Sequence, residues 1–160
     1  MRKQINSIFV YLFFIACWIF FFYFYPYHLH YKEQITLCVL QPDFLQTYLQ
    51  KPAFLTEICG DYLTQFFLWT GGGSSILTLT FVFTWLGLRI ALRKTGITSH
   101  VSLWALLPIV AEWALSCHLE YPLSMSLGLM CSVWAFSLST LSTSTHTRGI
   151  LHVVMLIILY

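Results

Sequence analysis

The residues able to do chemistry are few in this 160-residue chain, and their spacing narrows what they can do. The densest polar group is His28, His30, Lys32, Glu33 and Gln34. Two imidazoles and a carboxylate are a donor set for a divalent metal, although His28 and His30, at i and i+2, face the same way only in an extended segment. Glu33 has the chemistry of a general base toward a hydroxyl. Glu57 and Asp61 are four residues apart, so a helix places both carboxylates on one face, where they can share a metal or a proton. The same spacing also describes the wet side of an amphipathic helix. His118 and Glu120 fall together in a short polar interruption, where the histidine can orient or protonate the acid. Glu112 is the one acid inside an apolar run, and an ionisable group there marks a candidate proton or polar-ligand site.

The elements that hold these residues follow from composition and charge order. The chain is 58% apolar, 18% aromatic and 9% charged, against about 25% charged residues in a typical soluble domain. Six of the eight Lys/Arg residues (Arg2, Lys3, Arg89, Arg93, Lys94, Arg148) sit at alternate junctions between apolar runs, and five of the six acids (Glu33, Asp43, Glu57, Asp61, Glu120) sit at the others. Cationic junctions stay cytoplasmic, so the charge order predicts a multi-pass membrane protein with its N-terminus inside. The lipid bilayer is then its first partner. A net charge of +2, spread over small clusters, leaves no basic face for nucleic acid.

The expected fold is all-α and polytopic: four complete spans at about 5–25, 74–92, 101–117 and 121–141, plus the start of a fifth at 150–160. The first run would reach roughly 31 Å as a helix and ends in Tyr25-Pro26-Tyr27-His28, with no small-residue cleavage site, so it reads as an uncleaved signal-anchor. The last run reaches only about 16 Å, which predicts that the 160 residues are the N-terminal fragment of a longer protein. An outer loop, 26–70, carries two amphipathic helices at about 43–50 and 53–68. In the second, Phe54, Leu55, Ile58, Cys59, Tyr62, Leu63, Phe66 and Phe67 form one stripe, and Thr56, Glu57, Gly60, Asp61, Thr64 and Gln65 the other. Such a helix is expected in the outer interface plane, with a periplasmic protein as its possible partner. Gly71-Gly72-Gly73-Ser74-Ser75 lacks the G-K-[ST] of a phosphate loop and reads as a flexible entry to the second span. Pro108 predicts a kink in the third, and Ser124, Gly128 and Ser132 a close-packing face on the fourth. Cys38 and Cys59 share the outer loop and are near enough in sequence to pair, although both also suit a small buried position.

The stretch Tyr31–Phe67, YKEQITLCVLQPDFLQTYLQKPAFLTEICGDYLTQFF, resembles an uncharacterised family of multi-pass Bacteroidetes membrane proteins, domain of unknown function 6057. That family shows H/Y-x-E-Q-x-x-L-F after its first span, a Pro-containing segment, and an amphipathic D/E-Y-L-x-x-F-L-x-Q-F stretch. Leu107-Pro108 and His118-Leu119-Glu120-Tyr121 also fit, and the likeness runs over nearly the whole chain. It departs at Trp69–Ser75, where the family has an aromatic-Pro-Trp-Leu-Gly entry. The resemblance centres on Glu33, implies further spans, and names no activity.

Three functions fit the pattern. The first is a multi-pass glycosyltransferase using a lipid-linked sugar donor at the outer face, by architectural analogy alone. Glu33 would act as base, and Glu120 would help hold a donor phosphate or divalent metal. Such enzymes carry an Asp or an Asp-Glu pair where this chain has Lys32-Glu33. The second is a transporter component with Glu112 in the pathway. The third is a non-enzymatic scaffold docking a periplasmic partner on its outer helix.

Overall fold

The computed structural model describes residues 2–36, 42–97, 99–141, 146–150 and 153, with side chains of 2–7 and 42–45 excepted. All its regular elements are helical. Helix α1, Arg2–Ile19, passes into a π-helical turn at Phe20–Phe24, closed by Tyr25 N–H donating to the Phe20 carbonyl at 3.1 Å. Pro26 follows and brings no N–H, so the α1 ladder cannot run on. The chain bends by 75° into α2, Pro26–Ile35. Then come α3, Pro42–Leu49, and α4, Phe54–Thr64, which tightens into a 3-10 turn at Gln65–Leu68. The remaining helices are α5, Gly72–Lys94; α6, Val101–Trp104; α7, Leu106–Ser116; and α8, Leu123–Leu141.

Two of these, α5 and α8, are long and apolar enough to cross a membrane, and the bent pair Ile8–Phe24 and Pro26–Ile35 makes a third if it counts as one. This corrects the expectation of four complete spans and a fifth. The third apolar run breaks at Ala105 into α6 and α7. Pro108 explains the break: it withholds the N–H that would bond the Trp104 carbonyl four residues back, and its ring crowds that carbonyl. The sixteen residues Val101–Ser116 would reach roughly 24 Å even unbroken, short of the ~30 Å of hydrocarbon. Of the run 150–160, only Ile150 and Val153 fall within the described residues.

Helix α5 is the hub. From its buried face, Leu77, Phe81 and Trp85 meet Phe14 and Phe21 from the first element and Ala105, Leu106 and Ile109 from α6–α7 in one apolar cluster. Rings set the spacing, with Phe14 edge-on to Trp85 at 5.8 Å and Phe21 against Phe81 at 6.3 Å. Indole N–H groups tie the helices across this core. Trp18 donates to Ser75 Oγ at 3.1 Å, Trp85 to the Ser102 carbonyl at 3.0 Å, and Trp134 to the Phe83 carbonyl at 3.1 Å. Ser137 on α8 donates to the Gly87 carbonyl at 2.7 Å and ties α8 to α5. The predicted small-residue face is used only in part: Ser124 is at a helix contact, whereas a Cβ at Gly128 would meet nothing within 4 Å and Ser132 is exposed.

Helix α4 inverts its expected orientation. The polar stripe is the buried one: Thr56, Gly60 and Thr64 pack on α8, while Leu55, Cys59 and Tyr62 face outward. The inversion is possible because the stripe satisfies its own polar atoms. Thr56 Oγ1 donates to the Ala53 carbonyl at 2.9 Å, Thr64 Oγ1 to the Gly60 carbonyl at 2.7 Å, and Ser124 Oγ to Glu57 Oε1 at 3.1 Å. Glycine at position 60 lets the two backbones close, since a Cβ there would lie 2.7 Å from the Ser124 nitrogen. The glycine run before α5 is likewise a packing device rather than a loose entry. Gly71 sits at φ 82°, a side chain on Gly72 would strike the Phe66 carbonyl, and one on Gly73 would press on Leu29 and Phe67 at 3.0 Å.

Gly60→Ala is expected to destabilise the protein by about 1–3 kcal/mol through overpacking against main chain. Gly87→Ala should have a smaller effect, because its new Cβ would meet the movable Val133 Cγ1 at 2.8 Å. Thermal unfolding of both variants in micelles checks the order; equal effects would contradict the backbone contact.

Candidate functional site

The site is built from the bend at Pro26. Because α2 turns sharply off the first element, its buried face, Leu29 and Lys32, lies over the α7–α8 turn. Lys32 is only 8% exposed. Its Nζ donates to the Ser116 carbonyl at 3.0 Å and to the Tyr121 carbonyl at 2.9 Å. Ser116 closes α7, where terminal carbonyls lack helical partners and the helix dipole favours a cation. One ammonium therefore satisfies the end of α7 and pins the turn to α8. The far end of α2 is also tied down: Thr36 Oγ1 donates to the Lys32 carbonyl at 2.7 Å, and Gln65 Nε2 to the Thr36 carbonyl at 2.7 Å.

Beside this anchor lies a cavity of about 180 Å³, lined by Lys32, Thr36, Thr64 and Glu120 among apolar walls that include Phe67 and Leu123. It combines a cation, a carboxylate and two hydroxyls with an apolar rim, as ligand sites usually do. Burial pushes the Tyr121 phenol above its ordinary value, with Ser126 opposing the rise and Glu112 adding to it.

The predicted residues separate into four groups. Glu120 lines the cavity from the exposed turn, and Glu33 stands half-buried on α2 outside the lining. His118 is exposed in the same turn and near His28, which also lies against Tyr25 at 4.9 Å. Glu57 and Asp61 take different partners, Ser124 on α8 and the Tyr48 hydroxyl on α3, so they do not act as a pair. Glu112 is 1% exposed on α7, and neither of its oxygens has a hydrogen-bond partner.

Metal chemistry at His28 and His30 is not supported. The segment is helical rather than extended, which turns the two rings apart. Among the described residues no group of three or more His, Cys, Asp or Glu is placed to hold a metal. Cys59 is a free thiol, and Cys38 lies outside the described residues. Sequence reasoning named Lys32 within the densest polar group but gave it no role. Its signal was present: Lys32 and Lys51 are the two basic residues on the otherwise acidic side of the charge pattern.

The fold and site define an all-helical protein with two to three helices able to span a membrane and a mainly apolar cavity, beside the α7–α8 turn, that holds Lys32 and Glu120. The chain belongs to the family of unknown function DUF6057, whose model matches residues 1–160. No curated protein and no solved structure matches it.

Lys32→Met should destabilise the fold by about 1–3 kcal/mol, because the Ser116 and Tyr121 carbonyls lose their donor inside the protein. Glu33→Gln should change stability by less than about 0.5 kcal/mol. Thermal unfolding in micelles compares them, and a neutral Lys32→Met would remove Lys32 as the anchor.

Proposed function

We propose that this chain belongs to a multi-pass glycosyltransferase of the bacterial inner membrane that draws on a lipid-linked sugar phosphate at the outer face. The observation that carries the proposal is the cavity that brings Lys32 and Glu120 together between apolar walls. An ammonium has three N–H donors. Two of those on Lys32 are engaged by carbonyls, which leaves one for a phosphate oxygen. Glu120, beside it, takes the proton of an acceptor hydroxyl as that oxygen bonds to the anomeric carbon. The sugar–phosphate bond breaks, and the lipid phosphate leaves against Lys32. The apolar walls suit the first carbons of the lipid. Glu33 lies outside the lining, so the base role assigned to it from sequence passes to Glu120.

Membrane placement has its own support. Ile8, Leu12, Ile15 and Ile19 on α1, Leu79 and Phe83 on α5, and Leu129 and Phe136 on α8 are all exposed. So many exposed large apolar side chains suit lipid rather than water. The outward apolar stripe of α4 agrees. Its polar stripe is taken by α8, which weakens the scaffold alternative, in which that helix docks a periplasmic protein. Helix α5 starts beside Phe67 at the cavity end and finishes at Arg93 and Lys94, 23 residues on and roughly 34 Å away. The positive-inside rule then puts the cavity outside and the N-terminus in the cytoplasm.

Two experiments test the proposal. A reporter fused after Glu120 should read as external and one fused after Thr95 as cytoplasmic; the opposite assignment would place the cavity on the wrong side. In the source organism, Glu120→Ala should abolish a surface glycan at unchanged protein level, because residue 120 is exposed and its loss leaves the fold intact. Unchanged glycans with normal protein would refute the transferase, and Glu33→Ala should be silent.

A further inference from the structure

The end of the bundle opposite the cavity carries cations that the fold leaves unbalanced. Helices α1 and α5 run antiparallel: Phe22 lies beside Gly71, Trp18 bonds to Ser75, and Phe14 meets Trp85. Lys3 stands roughly 17 Å before Phe14 along α1, and Lys94 roughly 14 Å beyond Trp85 along α5. Arg2 and Lys3 therefore begin α1 at the level where Arg93 and Lys94 end α5. None of the six acids lies on α1, α5 or α6. Glu112, on α7, is one turn from Ser116, at the end that Lys32 holds.

Basic residues in the last turn of a helix commonly serve its free carbonyls. Here the loop after α5 has taken that role. Thr95 N–H donates to the Ala91 carbonyl at 3.0 Å, Gly96 N–H to that of Arg93 at 3.3 Å, and Ile97 N–H to that of Leu92 at 3.1 Å. Thr95 Oγ1 adds a bond to the Leu92 carbonyl at 3.0 Å, and Gly96 permits the turn at φ 94°. Arg93 and Lys94 are exposed and released from capping. Arg89, one turn inside, is held differently. Its guanidinium lies over the Trp85 ring at 5.2 Å, and Trp85 is itself fixed by its bond to the Ser102 carbonyl. Among the described residues the buried Nε of Arg89 has no acceptor.

A guanidinium seated on an indole, with Arg93 one turn further out on the same face, is a fork for phosphate oxygens. Depth selects the source of the phosphate. Arg89 lies roughly 26 Å from the start of α5, near the edge of the ~30 Å hydrocarbon core, where lipid headgroups begin. Charge selects the headgroup. A zwitterionic lipid would bring an ammonium that no acid on these helices can receive, whereas an anionic lipid brings negative charge alone. We infer that Arg89, Arg93 and Lys94 bind the headgroup of an anionic phospholipid in the leaflet at this end of the bundle. Arg89 holds the phosphate, Arg93 and Lys94 add charge, and the acyl chains lie along the exposed apolar faces of α5 and α1. The inference rests on the membrane placement and not on the transferase.

The test is thermal unfolding of the full chain in neutral micelles titrated with phosphatidylglycerol or with phosphatidylcholine. Phosphatidylglycerol should raise the midpoint saturably, as a ligand of the folded state does, and phosphatidylcholine should not. Arg89→Gln should weaken the apparent affinity about fivefold, the factor that corresponds to about 1 kcal/mol per basic residue at a lipid surface. Arg93→Gln, at an exposed position, should weaken it about as much and decides the matter if Arg89→Gln fails to fold. Lys51→Gln removes the same charge at the cavity end and should have no effect. Equal stabilisation by the two lipids, or equal losses in Arg93→Gln and Lys51→Gln, would overturn the assignment. So would stabilisation by glycerol 3-phosphate, which lacks acyl chains, as strong as that by phosphatidylglycerol.

Discussion

An ammonium group tucked under a bent helix holds the functional end of this protein together. Lys32 could not reach the carbonyls of Ser116 and Tyr121 if α2 continued the line of the first helix. Proline at position 26 forces the departure, and the end of α7 rewards it with carbonyls that have no helical partner. Once the ammonium is seated, the α7–α8 turn is fixed and Glu120 is carried to the cavity rim. The cavity is therefore a consequence of one buried cation.

The rest of the bundle follows the same constraint in other chemistry. Where apolar surface is cheap on both sides of a helix, polar contacts and close backbone approaches decide which faces meet. Three indole N–H groups, the Ser137 hydroxyl and the Gly60–Ser124 contact fix helix partners that hydrophobicity alone would leave interchangeable. Helix α4 is the clearest case. In water, its Thr56–Gly60–Thr64 stripe would face solvent. Here the threonines close on their own backbone and the glycine lets α8 in, so Leu55, Cys59 and Tyr62 are left outside.

How much was legible in the sequence depended on whether the signal was local. The helical class, the extents of α5 and α8, the helix break near Pro108 and the family membership each rest on a contiguous run or a quoted motif. Span number was misjudged because the third run was counted as one full span through Pro108, although Val101–Ser116 breaks at Ala105 and is too short for the bilayer. The site was half-read: Glu120 and Glu112 stood out as acids in unusual places, but which carboxylates share a cavity depends on where α2 lands. Glu57 and Asp61 look like a pair by spacing, yet they bond to Ser124 and Tyr48 on different helices.

By itself, the sequence determined a helical chain with its charges sorted by side, because hydropathy and charge act over neighbouring residues and need no fold to be read. Only the tertiary structure decided that Lys32 is buried, that α4 turns its polar face inward, and that Glu112 meets Ser126. Each of these depends on contacts between residues far apart in the chain, such as 32 with 116 and 60 with 124. Such contacts are set by backbone geometry at a few prolines and glycines, which periodicity does not record.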